Sequence, residues 1–172
     1  IKAFFDEPTN TVSYVVSDPA SRQAVVIDPV LDYDFRSGKA NVRSADAILD
    51  YLRSAGLVAN FVLETHAHAD HLSGAPYIKA KTGARIVIGE HIRDVQRIFR
   101  PVFNATDISG DGSEFDRLVA DGERLPLGEL EIEVMATPGH TPACVSYKIA
   151  DAVFVGDTLF MPDYGTARGD FP

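Results

Sequence analysis

The chain has 172 residues, of which 45% are hydrophobic and 24% are charged. This length and composition predict one globular domain with an adequate core over residues 1–172. The formal net charge of −9 and the lack of a basic run argue against nucleic acid or an anionic membrane as a partner. The apolar runs are too short to span a bilayer. The single cysteine, Cys144, excludes an internal disulfide and suits a reducing compartment, so we expect a cytoplasmic protein.

The first third of the chain predicts two strands followed by a helix. Short β-branched runs bounded by turn residues predict strands over 11–17 and 23–29. The stretch 44–56 predicts a helix with Ser44 as its N-cap and Gly56 at its end. Its apolar face consists of Ala45, Ile48, Leu49 and Leu52.

The rest of the chain mixes strands with short helices. An apolar strand is predicted over 59–64, and then a helix with Ser73 as cap, Pro76 in its first turn and Gly83 at its end. A strand over 84–89 precedes an irregular polar segment over 90–116, in which 92–99 is a short helix. Four further strands are predicted over 123–127, 130–137, 144–150 and 152–156. This order predicts an α/β or α+β fold with helices packed outside sheets.

The stretch "THAHADH" crowds metal-capable side chains directly after the apolar strand 59–64. It contains His66, His68, Asp70 and His71. His66 and His68 are two apart in an extended segment, so both can reach one ion. Asp70 and His71 begin the following turn and face a second ion or a hydrogen-bond network. Imidazoles with a carboxylate suit zinc or iron at neutral pH.

Two more strands end in a metal-capable residue. His140 follows the strand 130–137, and Asp157 follows the strand 152–156. If the ligand-bearing strands run parallel, their carboxyl ends open on one edge, where loops on a rigid scaffold place a site accurately. Taken alone, Asp157 would favour the interpretation as a plain turn aspartate, and only the other candidate ligands make it a metal ligand. Cys144 is either a small buried residue or a neighbour of the pocket.

These motifs resemble the metallo-β-lactamase superfamily. "THAHADH" matches its H-x-H-x-D-H signature, and "TPGHTP" and "GDTLF" match its later metal motifs in the same order. The resemblance covers essentially the whole chain and implies an αββα sandwich. Family chains continue beyond the final "DFP", so we expect this domain to lack the C-terminal part of the family fold.

Within the superfamily the chain looks most similar to the persulfide dioxygenases. Glyoxalase II thioesterases typically read T-H-H-H-W-D-H and T-P-C-H-T, whereas this chain has Ala69 in place of the tryptophan and Gly139 in place of the cysteine. Cys144 fits the dioxygenase form "TPGHTPxC". The segment "MPDYGTARGDFP" resembles a bacterial subgroup of that family.

The resemblance implies one Fe(II) per chain, held by His66, His140 and Asp157, with zinc as the alternative metal. Two histidines and one carboxylate form a facial triad that leaves coordination positions open. His68, Asp70 and His71 match positions that support a second metal in the hydrolases.

In the dioxygenases those three residues look like groups that orient the ligands and the bound water, and we expect Asp70 and His71 to assist catalysis. Asp170 matches a family aspartate beside the metal and is also predicted to be catalytic. Arg168 matches a family arginine near the thiol substrate, against the alternative of a surface arginine paired with Asp170. Asp28 is either another group near the metal or a strand-end turn residue.

The implied reaction converts glutathione persulfide, oxygen and water into glutathione and sulfite. One alternative is a dinuclear zinc thioester hydrolase of the glyoxalase II type, in which Asp157 bridges the metals. The other is a superfamily member without catalytic activity. A homodimer and a rhodanese-type partner on another chain stay open.

Overall fold

The computed structural model describes residues 1–166 and 169. The chain divides into two compact units. The first comprises Ile1–Glu64, His68–Ile86 and Pro126–Leu130, and the second comprises Thr65–Ala67, Val87–Leu125 and the described residues from Glu131 onward. None of the described helices is long and apolar enough to cross a membrane.

Thirteen strands and three α-helices follow each other along the described residues. The strands are β1 (Lys2–Asp6), β2 (Thr11–Ser17), β3 (Gln23–Ile27), β4 (Val30–Asp34), β5 (Lys39–Asn41), β6 (Val58–Leu63), β7 (Leu72–Ser73), β8 (Arg85–Gly89), β9 (Arg117–Val119), β10 (Arg124–Leu127), β11 (Leu130–Ala136), β12 (Val145–Ile149) and β13 (Ala152–Phe154). The helices are α1 (Arg43–Ser54), α2 (Ala75–Thr82) and α3 (Ile92–Val102).

The sheet of the first unit places β1, β2, β3 and β6 side by side in that order. β1, β2 and β3 are antiparallel to one another, whereas β3 and β6 are parallel, with Val26 opposite Val62. Both of these valines are fully buried. The continuous apolar runs predicted these central strands, because a strand covered on both faces needs apolar residues at every position.

The apolar face predicted for α1 is buried, but Ser44 is not its N-cap. The Asn41 side chain instead accepts hydrogen bonds from the backbone N–H groups of Val42 and Arg43, at 2.7 and 3.0 Å. Asp32 accepts hydrogen bonds from both the backbone N–H and the hydroxyl of Ser44, each at 2.9 Å. Two neighbouring side chains therefore satisfy the free N–H groups that a helix start leaves.

α1 ends at the predicted glycine, whereas the N-cap of α2 lies one residue after the predicted cap. Gly56 has a φ of +63°, and the N–H of the next residue, Leu57, donates to the carbonyl of Leu52 at 2.8 Å, which closes α1. Ser73 lies in β7 and Gly74 is the N-cap of α2, yet the Ser73 hydroxyl still accepts the Ala75 N–H at 3.0 Å.

In the second unit, β12 pairs antiparallel with both β11 and β13. β11 and β13 therefore run in the same direction, and their carboxyl ends lie at one edge of this sheet. β6, which precedes His66, belongs to a different sheet. β9, which the sequence did not predict, pairs in parallel with β8, and α3 continues three residues beyond the predicted end at Phe99.

Candidate metal centre

The backbone and the hydroxyl group of Thr65 hold His66 in place. The carbonyl of Thr65 accepts the N–H of Val145, the first residue of β12, at 2.9 Å. The Thr65 hydroxyl lies 3.0 Å from His66 Nδ1, and the histidine is only 1% exposed. The hydroxyl thus occupies one ring nitrogen, and the other nitrogen, Nε2, lies 3.9 Å from a carboxylate oxygen of Asp157.

His140 lies on the turn between β11 and β12. Two backbone hydrogen bonds stabilise this turn. The Thr137 N–H donates to the Cys144 carbonyl at 2.9 Å, and the Gly139 N–H donates to the Thr141 carbonyl at 3.2 Å. The sulfur of Cys144, which is 2% exposed, accepts the Thr141 N–H at 3.2 Å. Cys144 is therefore a small buried residue that also supports the turn bearing His140.

Asp157 lies in a short 3₁₀ turn, Gly156–Thr158, directly after β13. Gly156 has a φ of +49°, and a Cβ atom there would lie 2.2 Å from the Thr65 hydroxyl oxygen. A contact this short is impossible, so the turn approaches Thr65 closely only because residue 156 is glycine. This approach brings Asp157 beside His66.

His66, His140 and Asp157 converge on one point. His140 Nε2 lies 3.6 Å from the same Asp157 oxygen, and the two imidazole rings are perpendicular, with centroids 5.0 Å apart. Each residue offers a ligand atom within 4.8 Å of the others. Ligands at about 2.0–2.2 Å from one ion are themselves roughly 3–3.6 Å apart. The His140–Asp157 separation of 3.6 Å lies within this range and the His66–Asp157 separation of 3.9 Å is slightly longer, while the donor chemistry suits a single metal ion.

A second group of titratable residues lies in the first unit, around His68. Its Nε2 atom lies 3.1 Å from Asp28 and 3.4 Å from Glu64. Burial lowers the pKa of His68, but the charge of Asp28 and hydrogen bonds to both carboxylates outweigh it, so the pKa is raised well above its usual value. For Glu64, burial raises the pKa, and this effect outweighs the neighbouring His68, which lowers it. Asp28 directly follows β3 and has a φ of +46°, which fits the interpretation as a strand-end turn residue.

Asp70 and His71 form a further potential metal group with His68, again within 4.8 Å. The His71 ring stacks on that of His68, with centroids 4.2 Å apart. His71 Nδ1 lies 3.0 Å from the carbonyl of Leu72, so Nδ1 carries a proton and donates it. Nε2 of the neutral ring then carries a lone pair, and this buried atom has no hydrogen-bond partner among the described residues.

Two predicted site residues, Arg168 and Asp170, lie outside the described residues. Gly169 between them is described. A Cβ atom built on it would lie 3.1 Å from the carbonyl oxygen of Gly139, the residue before His140.

Sequence reasoning missed several residues that support the site. Glu64 is buried against His68, and the Ser73 hydroxyl donates to it. A glutamate that ends the apolar run "FVLE" is an unusual buried charge, and this signal could have identified it. Thr65, Thr137 and Thr158 each stand next to a motif but carry no local signal of their partners.

The chain is similar in sequence to proteins that carry several different names. The chain is 51% identical over 172 residues to a beta-lactamase hydrolase-like protein of Agrobacterium fabrum, covering 100% of this chain and 40% of that protein. It is 44% identical over 175 residues to glyoxylase B2 of Dictyostelium discoideum, covering 100% of this chain and 60% of that protein. Human persulfide dioxygenase ETHE1 is more distant, at 28% over 174 residues, with coverage of 99% and 56%. The chain thus spans 40–60% of the length of these relatives.

The fold agrees with that of solved structures. The crystal structure of ETHE1 from Myxococcus xanthus matches with a TM-score of 0.75 and 30% identity, covering 99% of this chain and 61% of that one. The mixed α/β fold of sheets and few helices is therefore metallo-β-lactamase-like, as the sequence predicted. The sequence pattern of that superfamily matches residues 6–171, which include all of the clustered histidines. Together with the convergence of His66, His140 and Asp157, this match establishes that the chain belongs to the metallo-β-lactamase superfamily.

Proposed function

We propose that this chain carries the metal centre of a persulfide dioxygenase, which converts glutathione persulfide, oxygen and water into glutathione and sulfite. The observation that carries the proposal is the group of His66, His140 and Asp157. Two imidazoles and one carboxylate are the facial ligand set of non-haem Fe(II) oxygenases. Ala69 and Gly139, which replace residues typical of glyoxalase II, support the same choice.

The chain's own residues prepare the site for this chemistry. The Thr65 hydroxyl lies 3.0 Å from His66 Nδ1, and in the tautomer that donates a proton to this hydroxyl, Nε2 would offer its lone pair to the metal. Bound Fe(II) would supply the redox chemistry and bring oxygen and the persulfide together. Arg168 would bind a carboxylate of the glutathione moiety through its planar guanidinium group.

His71 and Asp70 would act on water or on the thiol rather than on a second metal. The lone pair of His71 Nε2 is buried and can accept a hydrogen bond from a substrate or water molecule. Asp70 is exposed and accepts a hydrogen bond from the Thr11 hydroxyl at 3.3 Å. Both residues can therefore accept a hydrogen bond from water or from the substrate.

A dinuclear zinc thioester hydrolase is the second candidate, and one structural observation favours it. His68, Asp70 and His71 form a second group that could hold a metal, and the buried Nε2 of His71 lacks a hydrogen-bond partner among the described residues. The names of the more similar relatives, hydrolase-like protein and glyoxylase B2, point the same way.

Metal content and oxygen uptake distinguish the two candidates. The protein is purified anaerobically, its metals are counted, and it is assayed with glutathione persulfide in an oxygen electrode and with a glutathione thioester. About one iron per chain with persulfide-dependent oxygen uptake supports the dioxygenase. Two zinc ions per chain with thioester hydrolysis and no oxygen uptake would refute it.

A His71→Gln variant serves as an internal check of the metal count. It removes the free imidazole lone pair but leaves the His66 group untouched. In a mononuclear enzyme this variant keeps its single ion and loses rate, whereas a dinuclear enzyme loses one of its two ions.

A further inference from the structure

Three hydroxyl groups connect the segments that carry His140 and Asp157. The Thr137 hydroxyl lies 3.1 Å from that of Ser146 and 3.0 Å from that of Thr158. Thr137 directly follows β11 on the way to His140, and Thr158 is the residue after Asp157. Thr137 therefore touches both the strand β12 and the turn that bears the carboxylate.

The backbone of the Asp157 turn cannot replace this contact. The N–H of Thr158 donates within its own turn, to the carbonyl of Val155 at 3.0 Å. The N–H of Thr137 is used as well, since it donates to the Cys144 carbonyl at 2.9 Å. The side-chain hydroxyls thus make the connection between the two segments.

The hydroxyl of Ser146 gives this network a fixed base. Ser146 lies within β12 and is 2% exposed, so its hydroxyl needs a partner inside the protein. A hydroxyl donates one hydrogen bond and can accept others, so Thr137 can bond both neighbours at once. Such chains of hydroxyls hold their members more rigidly than isolated pairs.

We propose that Thr137 is a positioning residue whose hydroxyl sets the separation between His140 and Asp157. This inference rests on the proposed metal centre formed by those residues and His66. Without the hydroxyl, the Asp157 turn loses this hydrogen bond to the His140 segment, and the 3.6 Å approach between His140 Nε2 and the carboxylate is held less firmly. Loss of a group that orients metal ligands typically costs about 10- to 100-fold in metal affinity.

Two substitutions at this position separate the hydroxyl from the shape of the side chain. Thr137→Val keeps the β-branched shape but loses the hydroxyl, whereas Thr137→Ser keeps the hydroxyl. Each variant, freed of metal, is titrated with Fe(II), Zn(II) or Co(II) against a chromophoric chelator. We expect Thr137→Val to bind about 10- to 100-fold more weakly and Thr137→Ser to bind like the parent. The visible spectrum of the Co(II) form should change in the valine variant only.

Thr106→Val is the matched control, because Thr106 is exposed, belongs to the same unit and is more than 30 residues along the chain from every proposed ligand. It should bind metal like the parent. If Thr137→Val does not fold, Thr158→Val and Thr158→Ser test the other end of the same hydrogen bond, with the same expected pattern.

Each outcome decides the matter. A valine variant that binds metal like the parent, or a serine variant as weak as the valine one, overturns the positioning role. A parent protein that binds no metal overturns the proposed centre itself, and is recognised because every variant then behaves alike.

Discussion

Replacing Gly156 with alanine tests how closely the Asp157 turn must approach Thr65. The new methyl group would lie 2.2 Å from the Thr65 hydroxyl oxygen and 2.8 Å from its Cβ atom. The residue also has a φ of +49°, a conformation that side chains disfavour. The substitution therefore combines backbone strain with steric overlap.

The two costs can be estimated and measured separately. The left-handed conformation costs a non-glycine residue about 1–2 kcal/mol. Forcing an extra methyl group into a packed site costs about 1–3 kcal/mol more. Gly165→Ala isolates the first cost, because Gly165 has a φ of +76° and a methyl group there would meet no atom of the described residues within 4 Å, apart from its chain neighbours. Gly156→Ala should thus lower the free energy of unfolding by about 2–5 kcal/mol and Gly165→Ala by about 1–2 kcal/mol.

Urea denaturation of the metal-free variants measures these differences. A double-mutant cycle with Thr65→Ala measures the part of the overlap due to the hydroxyl oxygen at 2.2 Å and the methyl carbon at 3.2 Å, because alanine keeps only the Cβ atom of Thr65. Gly156→Ala should cost clearly less in the Thr65→Ala background. Equal costs for Gly156→Ala and Gly165→Ala would show that the turn does not press against Thr65, and the reasoning would fail.

Three further predictions address the metal, the substrate and acid stability. His140→Ala should abolish iron binding and activity together, because only His66 and Asp157 of the proposed ligand set would remain; full iron content in this variant would contradict the ligand assignment. Arg168→Ala should leave iron content intact but lower kcat/KM for glutathione persulfide more than about tenfold, or roughly 1.4 kcal/mol, and Arg168→Lys should recover only part of the loss, as steady-state kinetics will show. The hydroxyl of Ser21 and then the backbone N–H of Glu129 lower the pKa of Asp18 to about 2, so its contribution to stability is present above about pH 4 and is lost as pH falls towards 2. Asp18→Asn should lower the urea midpoint at pH 7 and weaken its dependence on pH between 4 and 2; an unchanged pH dependence would contradict this.

The central elements could be predicted because their signals are local. The apolar face of α1 and the glycine at its end are both visible in the sequence, and both predictions are confirmed. β5 was missed because its three residues are all exposed and show no alternation. The start of α1 was wrong because the Asn41 side chain accepts its first N–H groups, while Ser44 is bonded to Asp32, twelve residues away, a contact that no local pattern records.

In the candidate site, too, the residues in local motifs could be predicted and the residues that support them through long-range contacts could not. Spacing and motifs predicted that His66, His140 and Asp157 belong together, and the structure places their potential ligand atoms within 4.8 Å of one another. The support for these residues depends on contacts between distant segments. Thr137 and Thr158, for example, are 21 residues apart. Such pairings depend on the register of β11, β12 and β13, which the sequence does not specify.

The number of metal ions depends on which ring nitrogen of His68 is available as a ligand. Its Nε2 atom is 3.1 Å from the Asp28 carboxylate and 3.4 Å from that of Glu64, and both acids are buried. A second ion would therefore have to use the other ring nitrogen, together with Asp70 and the Nε2 lone pair of His71. A dinuclear centre requires all three of these donors to turn towards one ion, whereas a single iron requires only that His71 find a hydrogen-bond donor. Because a water molecule or a thiol can provide that donor, the buried lone pair of His71 is compatible with one metal as well as with two, and counting the ions in the parent and in His71→Gln decides between them.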